Sequence, residues 1–133
     1  VPYHPSVGIP LTVWTPDCQT GQSSDALVSL MDLTATFLDY AGVEIPQDMD
    51  SRSLRNLLKG KTKVHREYVL SGLNNWRLAY DGQYKYIEGY NVPKTPKGEP
   101  GLFDLQKDPT ESTNVYKKAK EEAQRLKKVL PQV

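Results

Sequence analysis

Residues 24–46, SDALVSLMDLTATFLDYAGVEIP, constrain this chain most, because apolar content and punctuation there specify one long buried element. Ser23 and Ser24 can accept bonds from the free N–H groups of a helix start, and Asp25 would sit where the helix dipole favours negative charge. Gly42 can take the left-handed conformation that closes a helix, Val43 supplies the apolar residue that follows, and Pro46 cannot continue the ladder. Between these ends, setting Thr34 aside, Asp25, Ser29, Asp32, Thr36 and Asp39 recur at intervals of four, three, four and three residues, which puts them in one thin stripe. Leu27, Val28, Leu30, Met31, Leu33, Phe37, Leu38 and Tyr40 fill the rest. A helix apolar on most of its circumference sits either at the centre of a fold or in a piece of something larger.

The chain has 133 residues, enough for one domain that buries roughly two thirds of the surface its unfolded form exposes. Its hydrophobic content of 38% is low, its ten prolines and nine glycines are many, and its net charge of +1 gives no general attraction to nucleic acid or membranes. Cys18 is the single cysteine and has no internal disulfide partner. No apolar run approaches the ~20 residues that span a bilayer.

Read in order, residues 1–9 form a loop in which Pro2 and Pro5 remove donors. Residues 11–14, LTVW, form a short apolar run between Pro10 and Pro16 and are expected as a buried strand. A strand followed by a helix needs a parallel neighbour, and no second good candidate precedes Tyr68, so the strand is expected to complete a sheet lying outside this chain. Residues 53–58 carry a short helical pattern ended by Gly60. Residues 67–70, 77–80 and 83–87 read as strands, with Asp81-Gly82 as a type I′ hairpin signal. After a proline-rich loop over 89–101, residues 102–105 supply a fourth strand. Tyr116, Ala119, Ala123, Leu126 and Leu130 then recur at helical spacing, so an amphipathic helix covers one face of the meander.

Few side chains suggest chemistry of their own. Gly60-Lys61-Thr62 resembles the end of a phosphate loop, but the glycine required five residues earlier is Arg55. His4 and His65 have no ligand-like neighbours, and Asp48 and Asp50 read as turn residues, so no metal site is expected in this chain. Lys117, Lys118, Lys120, Lys127 and Lys128 give the last helix a basic character that Glu121 and Glu122 interrupt, and a solvated face outweighs an anion-binding one. Asn74-Asn75-Trp76-Arg77 is the most suggestive surface cluster, since Trp and Arg favour binding sites, although an aromatic residue at a strand start is more often core.

Two stretches together resemble the C-terminal part of sulfatases of the alkaline-phosphatase superfamily. The first runs from Ile9-Pro10-Leu11 through VSLMDLTATFLDYAGVEIP to MDSRSLRNLLKGK; the second is YKYIEGYN followed by LFDLQKDPTESTNV. The family pattern is a proline and an apolar strand, VSLxDLxPTxLxxAG, GxSLxxxLxGK, and YKYI with LYDLxxDPxExxN. Ala35, Ser51 and Phe103 depart from it at positions that read as structural.

The resemblance implies an α+β fragment. Residues 1–62 would be the tail of a large α/β catalytic domain, contributing one strand and the long buried helix. Residues 63–133 would be a small four-stranded antiparallel sheet with a packed C-terminal helix. The intact parent would hydrolyse a sulfate ester with a formylglycine nucleophile and calcium, acting on a sulfated small molecule or carbohydrate. Cys18, followed by Gln19-Thr20-Gly21-Gln22, lacks the Cys-x-Pro/Ala-x-Arg context and is not the formylglycine precursor. The family's catalytic lysine would lie just before Val1, in a segment matching Tyr3, so no catalytic or calcium-binding residue is expected in this chain, which alone should be inactive. Tyr3, His4, Asn74, Trp76 and Arg77 are the candidates for lining the substrate pocket. A phosphoester or phosphonate hydrolase of the same superfamily, or a non-catalytic anion-binding domain, are the alternatives. No nucleic-acid or membrane partner is expected, exposed apolar surface favours self-association, and the absence of an Asn-x-Ser/Thr site tilts the source toward a bacterial, exported enzyme.

Overall fold

The computed structural model describes residues 1–19, 21–93 and 95–131. Its elements are α1 (His4–Val7), α2 (Asp32–Tyr40), α3 (Arg55–Leu58), β1 (Val69–Leu73), β2 (Trp76–Tyr80), β3 (Tyr84–Glu88), β4 (Gly101–Asp104) and α4 (Lys120–Lys128). They fall into two compact units, one of residues 1–10 with 68–133 and one of residues 11–67.

In the first unit the four strands form an antiparallel meander in the order β1-β2-β3-β4. Arg77 pairs with Glu88, Leu78 with Ile87, and Tyr86 with Leu102, which fixes which residues share a face. Ala79, Tyr86 and Leu102 point to one side and pack with Ala123, Leu126 and Leu130, so α4 covers that face, as its spacing predicts. Trp76, Leu78, Ile87 and Phe103 point to the other side and pack with Val92, with Tyr3, Val7 and Tyr90 against them. Both faces are therefore covered, and β4 is buried at every position.

Several boundaries move. β1 starts two residues and ends three residues later than the 67–70 expected, and α4 begins only at Lys120, because residues 115–119 form turns that bring Val115 N–H onto the Leu102 carbonyl at 2.8 Å. Between β2 and β3 only Gly82 takes a positive φ, +96°, so the turn follows the II′ pattern rather than the I′ expected, which needs two such residues. Asp81 stabilises it by accepting from the N–H groups of Gln83 and Tyr84 at 2.9 and 2.7 Å.

The second unit departs further from expectation. Residues 11–14 form no strand, since nothing among the described residues of this unit pairs with them. The long helix shortens to Asp32–Tyr40. Its start is set not by Ser23, Ser24 and Asp25 but by Ser29 and Asp32. The Asp32 N–H donates to the Ser29 carbonyl at 2.9 Å, and the Asp32 carboxylate accepts from the Ser29 N–H at 2.9 Å, a reciprocal pair of bonds across S-x-x-D, which spans the N-cap residue Met31. Upstream of it Leu27 makes a bridge with Arg66. The end is the one that glycine predicts: Gly42 has φ +69° and the Val43 N–H donates to Leu38 O at 2.9 Å. The helix is not buried all round, because Phe37 is 68% exposed.

Candidate functional site

The polar centre of the first unit grows out of the alternation of β3. Tyr86 faces α4, so Lys85 must rise from the opposite face, among Trp76, Leu78, Ile87 and Phe103. An ammonium cannot remain there alone. Its partner is Glu111, to which Nζ is ion-paired, and both side chains are 2% exposed. Nζ also donates to the Pro2 carbonyl at 3.2 Å. Burial lowers the Lys85 pKa, and the Glu111 carboxylate pulls it back up.

Glu111 reaches this position through a built turn. The Asp108 carboxylate accepts from the Thr113 N–H at 2.7 Å and from the hydroxyls of Thr110 and Ser112. These bonds, the Thr113 N–H first, hold the Asp108 pKa at about 2. Glu111 itself sits at φ +53°, a conformation that costs a non-glycine residue of order 1–3 kcal/mol. Asn114 ties the turn to β4, accepting from the N–H groups of Leu102 and Tyr116 at 3.0 Å each and donating to the Pro100 carbonyl at 3.1 Å. The sequence D-P-T-E-S-T-N is thus one device that points a carboxylate at Lys85.

That device holds the segment Pro2–His4. Besides the Pro2 contact, the His4 N–H donates to Glu111 Oε2 at 2.5 Å. The Tyr3 ring meets Tyr90 and Phe103 edge-on at centroid distances of 5.9 and 6.1 Å. Burial, then the neighbouring Tyr90 and Glu111, raises the Tyr3 pKa, so its hydroxyl stays protonated near neutrality.

Of the five residues the sequence nominates, Tyr3 and Trp76 therefore belong to one apolar cluster, and Trp76 is core at 8% exposure. His4 is exposed and held through its backbone. Asn74 occupies the exposed β1–β2 turn at φ +58°. Arg77 does not join Trp76: strand alternation sends it to the opposite face, where it pairs with Glu88 and donates to the Pro131 carbonyl at 2.5 Å. The run Asn74-Asn75-Trp76-Arg77 is thus not one surface cluster. Lys85 and Glu111 were missed because only the fold brings them together; the signal available was a lysine in an otherwise apolar, buried strand.

The second unit has its own buried carboxylate. Asp32, fully buried, accepts from Arg66 Nε at 2.8 Å and from its Nη2, from the Arg52 N–H at 2.9 Å and from Ser29, and lies 3.1 Å from His65 Nε2. Burial would raise its pKa, but the Arg66 guanidinium and the two backbone N–H groups win, and it falls to about 2. Arg66 also donates to the Asp50 carbonyl at 2.8 Å, so Asp32 ties residues 27–32 to 50–66. Cys18 is half-buried and its Sγ accepts from the Thr15 N–H at 3.4 Å. Among the described residues no group of three or more His, Cys, Asp or Glu side chains is placed to hold a metal ion.

Compared with known proteins, residues 1–133 match the family described as N-sulphoglucosamine sulphohydrolase, C-terminal. Arylsulfatase K of Xenopus laevis is 33% identical over 145 residues, covering 96% of this chain and 26% of that protein. A solved structure in complex with its substrate, D-glucosamine-2-N,6-O-disulfate, superposes with a TM-score of 0.62 at 26% identity, covering 74% of this chain and 22% of that one. The phosphonate monoester hydrolase of Silicibacter pomeroyi superposes at 0.67 with 25% identity, covering 87% of this chain and 26% of that one. The chain spans about a quarter of the length of the curated relatives it matches.

Proposed function

The chain belongs to the family of N-sulphoglucosamine sulphohydrolase C-terminal regions, and from that premise we propose that the protein it is part of hydrolyses a sulfate ester of a carbohydrate. The observation that carries this reading is the match over residues 1–133 to the N-sulphoglucosamine sulphohydrolase C-terminal family, together with likeness to arylsulfatases. A relative solved with a disulfated glucosamine supports the carbohydrate substrate.

In this reading residues 1–62 end the catalytic α/β domain and residues 63–133 form the subdomain whose sheet carries the segment Pro2–His4. In the intact protein a formylglycine would supply the nucleophile and calcium would supply charge neutralisation. Neither group fits the residues present here. Cys18 lacks the modification motif, and no carboxylate cluster is available among the described residues. Both are therefore assigned to the rest of the protein, and no step is routed through them.

What these residues do is hold and exclude. Lys85 and Glu111 fix the backbone at Pro2 and His4, and the Tyr3 ring packs with Tyr90 and Phe103 in the apolar cluster that includes Trp76. Asn74 and His4 are the exposed groups placed to meet substrate, whereas Arg77 would have to leave Glu88 and the Pro131 carbonyl to do so.

Likeness to a phosphonate monoester hydrolase favours a second reading, a phosphonate or phosphate ester as substrate. The test is turnover by the whole protein of 4-nitrophenyl sulfate against 4-nitrophenyl phenylphosphonate, with mass spectrometry of the peptide bearing Cys-x-Pro/Ala-x-Arg. A sulfate preference in kcat/KM with formylglycine present is expected. A phosphonate preference moves the second reading forward.

A further inference from the structure

The basic residues of α4 have a geometry that their order in the sequence hides. At about 100° per residue, Lys120, Gln124 and Lys127 fall within roughly 60° of one another on α4, and Lys117, in the turn before the helix, lines the same cavity. Glu121 and Glu122 fall outside that sector. Glu122 is also engaged, since Arg125 bridges it at 2.7 Å and pairs with Asp81. The acidic residues therefore do not interrupt the lysines; they lie on a different stripe.

The lysine stripe borders a cavity of about 340 Å³ lined by Tyr86, Tyr116, Lys117, Lys120, Gln124 and Lys127, with Ala123 at its base. Tyr86 is 1% exposed and its hydroxyl donates to Glu88 Oε2 at 3.0 Å, while Glu88 is itself paired with Arg77. Lys117 is bridged to Glu99 at 3.1 Å, and Lys120 and Lys127 make no ion pair among the described residues. Two ammonium groups thus face a concave, partly aromatic surface without a counter-charge. They are seven residues apart, about 10 Å along the axis, too far for one sulfate and suited to anionic groups spread along a chain.

We propose that this cavity binds a sulfated oligosaccharide: Lys120 and Lys127 take successive sulfate groups, Lys117 exchanges Glu99 for a third, and Tyr116 and Gln124 meet the sugar ring and its hydroxyls. Sugar rings pack on aromatic faces, and an amide offers both donor and acceptor to hydroxyls. The choice of a glycan rather than another polyanion rests on the sulfatase reading. The pairing of separated point charges with one aromatic wall stands on the geometry alone.

The test uses the whole protein and a heparin-derived hexasaccharide, with its desulfated form and a single-stranded DNA hexamer as comparisons, by isothermal titration at several salt concentrations. In K117Q/K120Q/K127Q the dissociation constant for the hexasaccharide is expected to rise at least about tenfold, with the salt slope falling by about two. The charge-matched control K61Q/K63Q/K118Q should bind as the unaltered protein does. An unchanged constant in the first variant, or an equal loss in the control, overturns the site. An equal loss of the DNA hexamer overturns the glycan assignment. Turnover of 4-nitrophenyl sulfate on the same preparations separates the two readings: its absence with hexasaccharide binding still lost removes the proposed activity and leaves the site standing.

Discussion

Glu111→Gln removes one charge from the buried pair and keeps the shape of the side chain. Lys85 is then an ammonium 2% exposed without its counter-charge, left with neutral acceptors such as the Pro2 carbonyl at 3.2 Å. Removing one partner of such a pair costs about 3–5 kcal/mol, because the other charge stays buried. A domain of this size loses about 4–8 °C of midpoint per kcal/mol, so thermal unfolding should shift down by about 12–40 °C. The variant should also carry a pH signature. Burial already lowers the Lys85 pKa, and Glu111 is what raises it back. Without the carboxylate the folded-state pKa drops further below the unfolded one. The unfolded chain then binds more protons between those two values, and stability rises with pH there. Circular dichroism against temperature and urea, from pH 7 to pH 10, reads both effects. The double variant K85M/E111L removes both charges together and should recover most of the stability, while the His4 amide, now without its acceptor, exchanges faster. A loss below about 1 kcal/mol in E111Q, or no steeper rise with pH than in the unaltered protein, refutes the reasoning.

Asp32→Ala should cost the second unit about 3–5 kcal/mol by leaving Arg66 and two backbone N–H groups without their carboxylate, read by urea unfolding. With a folded pKa of about 2 against 3.8 unfolded, Asp32 contributes roughly 2 kcal/mol above pH 4 that is lost as pH falls toward 2; an acid titration of D32N should lack that component. Gly89→Ala would set a Cβ 1.8 Å from the Asn75 carbonyl oxygen at φ +75°, so a loss of about 2 kcal/mol or more is expected by thermal unfolding. Trp76→Ala should destabilise by about 3–5 kcal/mol as a core deletion. Arg77→Ala should keep the fold and raise KM for the preferred ester in the whole protein; an unchanged KM removes Arg77 from the pocket.

The meander was legible because its signals are local. Alternation along residues 77–80 and 83–87 and the glycine of Asp81-Gly82 are all that a hairpin of this kind requires, and Gly82 does supply the positive φ, though at the first turn position alone. The spacing of Ala119, Ala123, Leu126 and Leu130 likewise suffices to lay a helix on one face. What failed was long-range or a matter of competition. Ser29-x-x-Asp32 is a capping signature, but the apolar residues at 27, 28, 30 and 31 extend the helical pattern past it; the bridge from Leu27 to Arg66 and the ties to Arg52 and Arg66 decide in favour of a later start. Residues 11–14 have strand composition without a partner, and composition alone cannot supply one. In the candidate site, neighbours in sequence parted and strangers met: Trp76 and Arg77 take opposite faces of one strand, whereas Lys85, Glu111 and Pro2 converge from three segments.

That convergence gives a physical meaning to the motifs that carry the family resemblance. Lys85 is the lysine of YKYI, Glu111 the glutamate of D-P-x-E and Asn114 the asparagine closing the same pattern; each is accounted for by a bond that positions Pro2–His4 or the turn beneath it. None needs to touch a substrate to be required. A buried ion pair adds little net stability over an apolar pair of the same volume, but it makes one placement of the segment far better than its neighbours, since shifting Pro2 or His4 strands an acceptor or a charge. On the proposed reading, in which the family's lysine lies just upstream of Val1, this has a consequence for catalysis. Each residue of chain reaches at most about 3.6 Å, so the backbone two residues before a fixed Pro2 can wander only several ångströms. On that reading the subdomain would contribute by fixing the backbone at Pro2–His4 rather than by supplying a reacting atom.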